Sequence, residues 1–229
     1  MKQLLFIVWI LFIVSCEKES ADNPHIMVAF GDSVTAGQAS SDSTHRWTNI
    51  VAASKSYKLT NSGLSGTTLQ NTPQDIVLEL GSATLNNGRD TYYERIINYN
   101  PDIVFILYGI NDIRFAGSSF TVENFEHDLG EVIDGLVASG ILARNIIIGS
   151  PPYLRNYNSG SAVWSGGSVA KHLQYVAKCA AVAAAKGTKY VNVYQWMIDH
   201  GKDALLGTDG VHPNDAGHRA IADSFLSVI

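Results

Sequence analysis

Apolar residues gather in five short runs, at 26–30, 58–61, 102–108, 145–149 and 190–194. Between them the apolar positions fall at helical spacing, over 47–56, 91–98, 122–139 and 168–186, and a last helical stretch covers 214–228. Strands that alternate with helices predict βαβ units, hence a mostly parallel sheet with helices on both faces. The third and fourth runs read Ile-Val-Phe-Ile-Leu and Ile-Ile-Ile without polar interruption, as strands covered on both sides do, so they belong at the centre of the sheet. Helix punctuation agrees with this reading: Thr121 with Asn124 in a first turn, Gly140 and Gly187 after helix ends, and Pro213 before the last helix.

Two stretches, 64–88 and 151–167, fit neither period. The first holds at most a short helix near 75–80, and the second carries Tyr153, Tyr157, Trp164 and several glycines. Long irregular connections in a compact domain are usually functional loops, and both leave the carboxyl edge of the expected sheet. They are the expected pocket walls, with the three aromatics as candidate stacking surfaces for sugar rings.

The amino terminus is a separate object. Lys2 precedes an unbroken apolar run at 4–14, which is shorter than the ~20 residues a membrane span needs, so residues 1–16 read as a secretory signal peptide. Ile13-Val14-Ser15-Cys16 resembles a bacterial lipobox, in which cleavage before Cys16 leaves a lipidated amino terminus. Export to the cell envelope and anchoring through lipid alone are therefore expected, with 17–25 as a polar tether and 26–229 as one domain. The acidic start of the tether also resembles surface-export signals of some lipoproteins. With Cys16 consumed, Cys179 has no partner for a disulfide or a thiolate metal site and reads as a small core residue.

The 229 residues are 46% hydrophobic and 16% charged, with a net charge of -5, which is enough for one sizeable core. No Lys/Arg cluster appears, so nucleic acid is not an expected partner.

Candidate chemistry lies at the ends of the strands. Gly31-Asp32-Ser33 follows the first, so Ser33 is a candidate nucleophile, although Gly, Asp and Ser are also common turn residues. Asn61-Ser62-Gly63-Leu64-Ser65-Gly66 follows the second, where Gly66 would let a backbone N–H approach a substrate, with Gly63 as the other choice. Gly109-Ile110-Asn111-Asp112 follows the third, and the Asn111 amide could donate to an oxyanion. Asp112 and Arg114 could orient the site or contact substrate, as could Asp32. In Asp209-Gly210-Val211-His212 a carboxylate three residues before an imidazole can fold back to Nδ1 and leave Nε2 free as a base.

In this order the four motifs resemble the SGNH hydrolases, also called GDSL esterases and lipases, and the resemblance spans the mature chain from Ile26 to Ile229. It implies a flavodoxin-like α/β/α sandwich with a central five-stranded parallel sheet, and ester hydrolysis without metal or other cofactor. Matched motif by motif, it implies Ser33 as nucleophile, Asp209 and His212 as its partners, and an oxyanion hole of Ser33 N–H, Gly66 N–H and the Asn111 amide. Val34 stands where the longer family signature has leucine, an apolar exchange. The Gly-x-Ser-x-Gly elbow of the larger hydrolase fold is absent, because Thr35 stands where it needs glycine. His200 and His218 have no metal-binding spacing with His212 and read as surface or helix-end residues.

The expected substrate is a small-molecule or glycan ester, foremost an O-acetylated carbohydrate. Lysophospholipids, short acyl esters and thioesters are the alternatives, and a non-catalytic glycan-binding protein on the same fold is a reading of another class.

Overall fold

The computed structural model describes residues 24–71 and 86–229. The expected signal peptide, Cys16, most of the tether and the short helix expected near 75–80 lie outside the described residues. Among the described residues no helix is long and apolar enough to cross a membrane.

The sheet has five parallel strands: β1 (Ile26–Gly31), β2 (Lys58–Gly63), β3 (Ile103–Leu107), β4 (Ile146–Gly149) and β5 (Lys189–Val191), in the order β2-β1-β3-β4-β5. Met27 pairs with Leu59 on one side and Ile103 on the other. Neighbours along a strand point to opposite faces, so the continuous apolar runs feed two cores. Met27, Ala29, Phe105, Leu107 and Ile147 enter one, with Trp47 and Val51 of α2 (Trp47–Lys55), Met197 of α7 (Val193–Asp199) and Ile221 and Phe225 of α8 (Asp215–Leu226). Val28, Phe30, Val104, Ile106 and Ile148 enter the other, with Phe125 and Leu129 of α5 (Val122–Ala138) and Tyr175 and Cys179 of α6 (Val169–Lys186). The result is the three-layer α/β/α sandwich.

Three smaller elements are α1 (Ser33–Ala36), α3 (Gly88–Arg95) and α4 (Ile110–Arg114). The expected helix at 91–98 starts earlier because the Asn87 side chain caps it by accepting the Asp90 N–H, and it ends at Arg95. The expected strand at 190–194 stops at Val191 for a similar reason. Asn192 caps α7, and Ser150 Oγ accepts the Tyr194 N–H at 3.0 Å, which turns the chain out of the sheet.

In this strand order the direction of winding reverses between β1 and β3, and the crevice outside their carboxyl ends is where open α/β sheets bind ligands. Ser33 follows β1 and Asn111 follows β3.

Candidate active site

Ser33 opens α1 directly after β1. Asp32 caps that turn, its Oδ1 accepting the Val34 N–H at 2.9 Å, so the serine sits at the first helical position with its side chain turned to the crevice. Its Oγ lies 2.9 Å from His212 Nε2, and His212 Nδ1 lies 2.6 Å from Asp209 Oδ2. Asp209 accepts at Nδ1, so Nδ1 carries the proton and Nε2 is left to accept from the Ser33 hydroxyl. The other aspartate oxygen accepts the Val211 and His212 N–H groups at 2.9 and 3.0 Å. Burial pushes the Asp209 pKa up, but these donors, His212 foremost, outweigh it and hold the carboxyl below its usual range.

The loop carrying this pair is pinned from outside. Gly207 N donates to His212 O at 2.8 Å, Arg155 N and Asn156 N donate to Gly210 O at 2.8 and 2.9 Å, and Asn156 Nδ2 donates to Asp209 O at 3.1 Å. The irregular segment 151–167 is thus a brace for the histidine loop as well as a wall.

Asn111 Nδ2 donates to Thr67 O at 2.8 Å, and the next residue, Asp112, accepts the Leu69 and Gln70 N–H groups at 3.0 and 2.9 Å. These bonds draw the 64–71 loop onto the end of β3 and bring Gly66 beside the asparagine. Gly66 has φ +81, a left-handed conformation that glycine adopts at little cost, and Gly109 has φ +118 just before α4. Neither the Ser33 nor the Gly66 N–H has a partner among the described residues.

The structure gives two of the candidates packing roles. The Gly63 N–H already donates to Asn61 Oδ1 at 2.9 Å, and a Cβ there would run into Ala36 N, so Gly63 is a packing position and no free donor. Asp112 is wholly buried, with both oxygens engaged by the loop it holds, which makes it a loop anchor.

The other candidates are placed as follows. Asp32 is buried at the foot of Ser33. The Tyr153 hydroxyl donates to Asp203 at 2.6 Å, and Tyr157 donates to His172 Nδ1 at 3.0 Å while His172 Nε2 donates to Pro151 O. Trp164 packs on Phe115 with ring centroids 4.6 Å apart. His200 is exposed at the end of α7, whereas His218 is fully buried, with Nε2 donating to Gln38 O.

A family model described as the GDSL-like lipase/acylhydrolase family matches residues 29–220. The chain belongs to this family. It is an ester hydrolase accordingly. A GDSL lipase of Mycobacterium tuberculosis is 43% identical over 51 residues, a match spanning 21% of each chain. A lipase/acylhydrolase from Enterococcus faecalis has the same fold, with a TM-score of 0.68 at 20% identity over 89% of this chain and 94% of that one. So does an acetyl-xylooligosaccharide esterase from Geobacillus stearothermophilus, with a TM-score of 0.64 at 19% identity over 89% and 93%.

This GDSL-family site also depends on residues whose signal in the sequence is faint. Arg95, at the end of α3, donates to Tyr108 Oη at 2.7 Å and to Gly31 O at 2.9 Å, and also to Ser62 O, so one guanidinium ties the carboxyl ends of β1 and β2 to the residue after β3. Asn61 Nδ2 donates to Thr35 O at 2.8 Å and so holds the end of α1 to β2. A second arginine in a polar helix and an asparagine late in a strand carry no spacing that marks them.

Burial pushes the Asp32 pKa up to about 7, with the Val34 N–H and Arg95 opposing and the Asp112 carboxylate adding to it. The folded chain therefore holds a proton there at pH values where the unfolded chain has lost it. This contribution to stability is whole below the unfolded value of 3.8 and is lost as pH rises through about 7. Between pH 5 and 8 the wild type should lose about 2 to 3 kcal/mol more stability than Asp32→Asn, which keeps an oxygen for the Val34 N–H. Denaturant unfolding at the two pH values measures the difference, and parallel curves for the two proteins would refute it.

Proposed function

We propose that Ser33, His212 and Asp209 form an acyl-transfer triad and that the enzyme removes acetyl groups from O-acetylated carbohydrates. The unbroken hydrogen-bond chain from Asp209 Oδ2 through His212 to Ser33 Oγ, at 2.6 and 2.9 Å, carries the catalytic part of this reading. His212 Nε2 takes the hydroxyl proton as Ser33 Oγ attacks the acetyl carbonyl. The Ser33 and Gly66 N–H groups and the second N–H of the Asn111 amide receive the negative oxygen. Collapse breaks the bond to the sugar oxygen, which leaves with the proton from His212. A water that gives its proton to the same histidine then attacks the acyl-serine; collapse breaks the bond to Ser33 Oγ, which takes that proton back from His212, and acetic acid departs.

Two observations support an acetylated sugar. Among the described residues, Leu64, 37% exposed, is the only exposed large apolar side chain in the loops that bear these groups, which is little lining for a long acyl chain. The segment beside the histidine loop presents the exposed Arg155, whose donors suit hydroxyl groups. The similar Geobacillus stearothermophilus protein is an acetylxylan esterase whose catalytic mutants alter an aspartate and a histidine three positions later, the spacing of Asp209 and His212.

Acetate release from acetylated xylan, set against hydrolysis of p-nitrophenyl palmitate, tests the reading. The acetylated glycan should be the better substrate by about 100-fold or more in kcat/KM, since each methylene that a pocket fails to bury costs up to a few kcal/mol. Preference for the palmitoyl ester would assign the chain to lipid esters. Failure of a fluorophosphonate to label Ser33 would leave a glycan-binding protein without catalysis.

A further inference from the structure

We infer that Arg114 is a carboxylate-binding group of the substrate site, and that the preferred substrates are acetyl esters of acidic sugars. This rests on the ester-hydrolase triad proposed above and narrows its substrate class.

Arg114 closes α4, three residues after Asn111, and three-residue spacing puts the two side chains on the same side of a helix. It is 8% exposed. Its guanidinium makes no hydrogen bond or ion pair among the described residues, and its Nε is enclosed without any partner. The guanidinium carbon lies 5.0 Å over the Trp164 ring, and the Arg114 carbonyl accepts the Gly166 N–H at 2.9 Å, so the side chain lies between the end of β3 and the 151–167 wall. Burial lowers its pKa, and the one charge that acts against this is Asp209. That carboxylate is not its partner, because both Asp209 oxygens are taken by His212 and the backbone.

A buried cation without an acceptor is costly, and folded proteins pair such groups. Three other arginines here follow that rule: Arg95 has five oxygen acceptors, Arg89 contacts Asp90 and Glu131 at 3.0 and 2.6 Å, and Arg219 contacts Asp223 at 2.9 Å. Arg114 has no such oxygen; the Arg46 Nε is likewise enclosed without a partner, but Arg46 is only half-buried, at the start of α2, whereas Arg114 is buried close enough to the triad to feel its aspartate. A planar fork of donors fits a carboxylate bidentately, and on a sugar ring the carboxylate of a uronic acid lies within one residue's breadth of an O-acetyl group.

The test compares an O-acetylated methyl glucuronoside with the methyl ester of the same sugar, so that only the charge differs. In the wild type, kcat/KM for the acid should exceed that for the ester by about 10- to 100-fold, the range of a charge-assisted pair, and the difference should lie mainly in KM. In Arg114→Gln the ratio should fall to near one, and Arg114→Lys should fall between, because a point charge lacks the fork. A wild-type ratio near one overturns the proposal. So does a ratio that Arg114→Gln leaves intact, which would make Arg114 a group acting only through Asp209. Turnover of p-nitrophenyl acetate and fluorophosphonate labelling of Ser33 report on the triad alone: if both are present and the ratio is flat, only the Arg114 assignment fails. Removing an unmatched buried charge should leave the melting temperature of Arg114→Gln at or above that of the wild type. If that variant does not fold, the wild-type ratio and Arg114→Lys decide the question.

Discussion

Ser33→Ala should lose on the order of 10⁴- to 10⁶-fold in kcat on any ester the wild type cleaves, with the protein still folded. Replacing Ser33 Oγ removes the atom 2.9 Å from His212 Nε2, and neither remaining member of the set can form an acyl intermediate. Asp209→Asn should cost about 10⁴-fold by another route. An amide at that position presents an N–H to Nδ1 in one rotamer and so favours the tautomer whose Nε2 is protonated and useless as a base. The double variant should be hardly worse than Ser33→Ala, because residues that act as a unit are not additive. Burst kinetics with p-nitrophenyl acetate measure all three. Additive losses would mean that the three residues do not act on the same step.

Asn111→Ala should lower kcat by about 10²- to 10³-fold while KM for a neutral acetyl ester changes little, since an oxyanion donor acts on charge that develops after binding. The variant removes two things together: the N–H meant for the oxyanion, and the 2.8 Å bond to Thr67 O that brings Gly66 beside it. Asn111→Gln separates them, because a longer amide can still reach a carbonyl on the loop while its second N–H is displaced from the reacting oxygen. Fluorophosphonate labelling rates, which need the same hole, should fall in parallel with kcat. Unchanged labelling in Asn111→Ala would remove Asn111 from the hole.

Much of the architecture was legible without coordinates. The Ile-rich runs that became β3 and β4 could be read as central because alternate residues must each meet an apolar layer, and they enter two separate cores. Boundaries were read less well where a side chain overrides the apolar pattern. Val193 and Tyr194 look like strand residues, yet the Asn192 cap and Ser150 Oγ turn them into α7. The site was legible as motifs at strand ends, and matching them favoured Gly66; the Asn61 side chain that occupies the Gly63 amide was not legible, because it depends on how β2 ends against α1.

By itself, then, the order of residues determined the alternation of strands and helices and the local Asp209-to-His212 fold-back, since both follow from spacing along one chain. Only the tertiary structure decided what lies across gaps of tens to hundreds of residues. It set Ser33 against His212 over 179 positions, turned Asp112 inward as a loop anchor, gathered five carbonyl and hydroxyl oxygens on Arg95 and left Arg114 enclosed without one. Such pairings depend on which strand ends the parallel sheet brings side by side and on which polar groups it shuts off from water, and no local pattern encodes either.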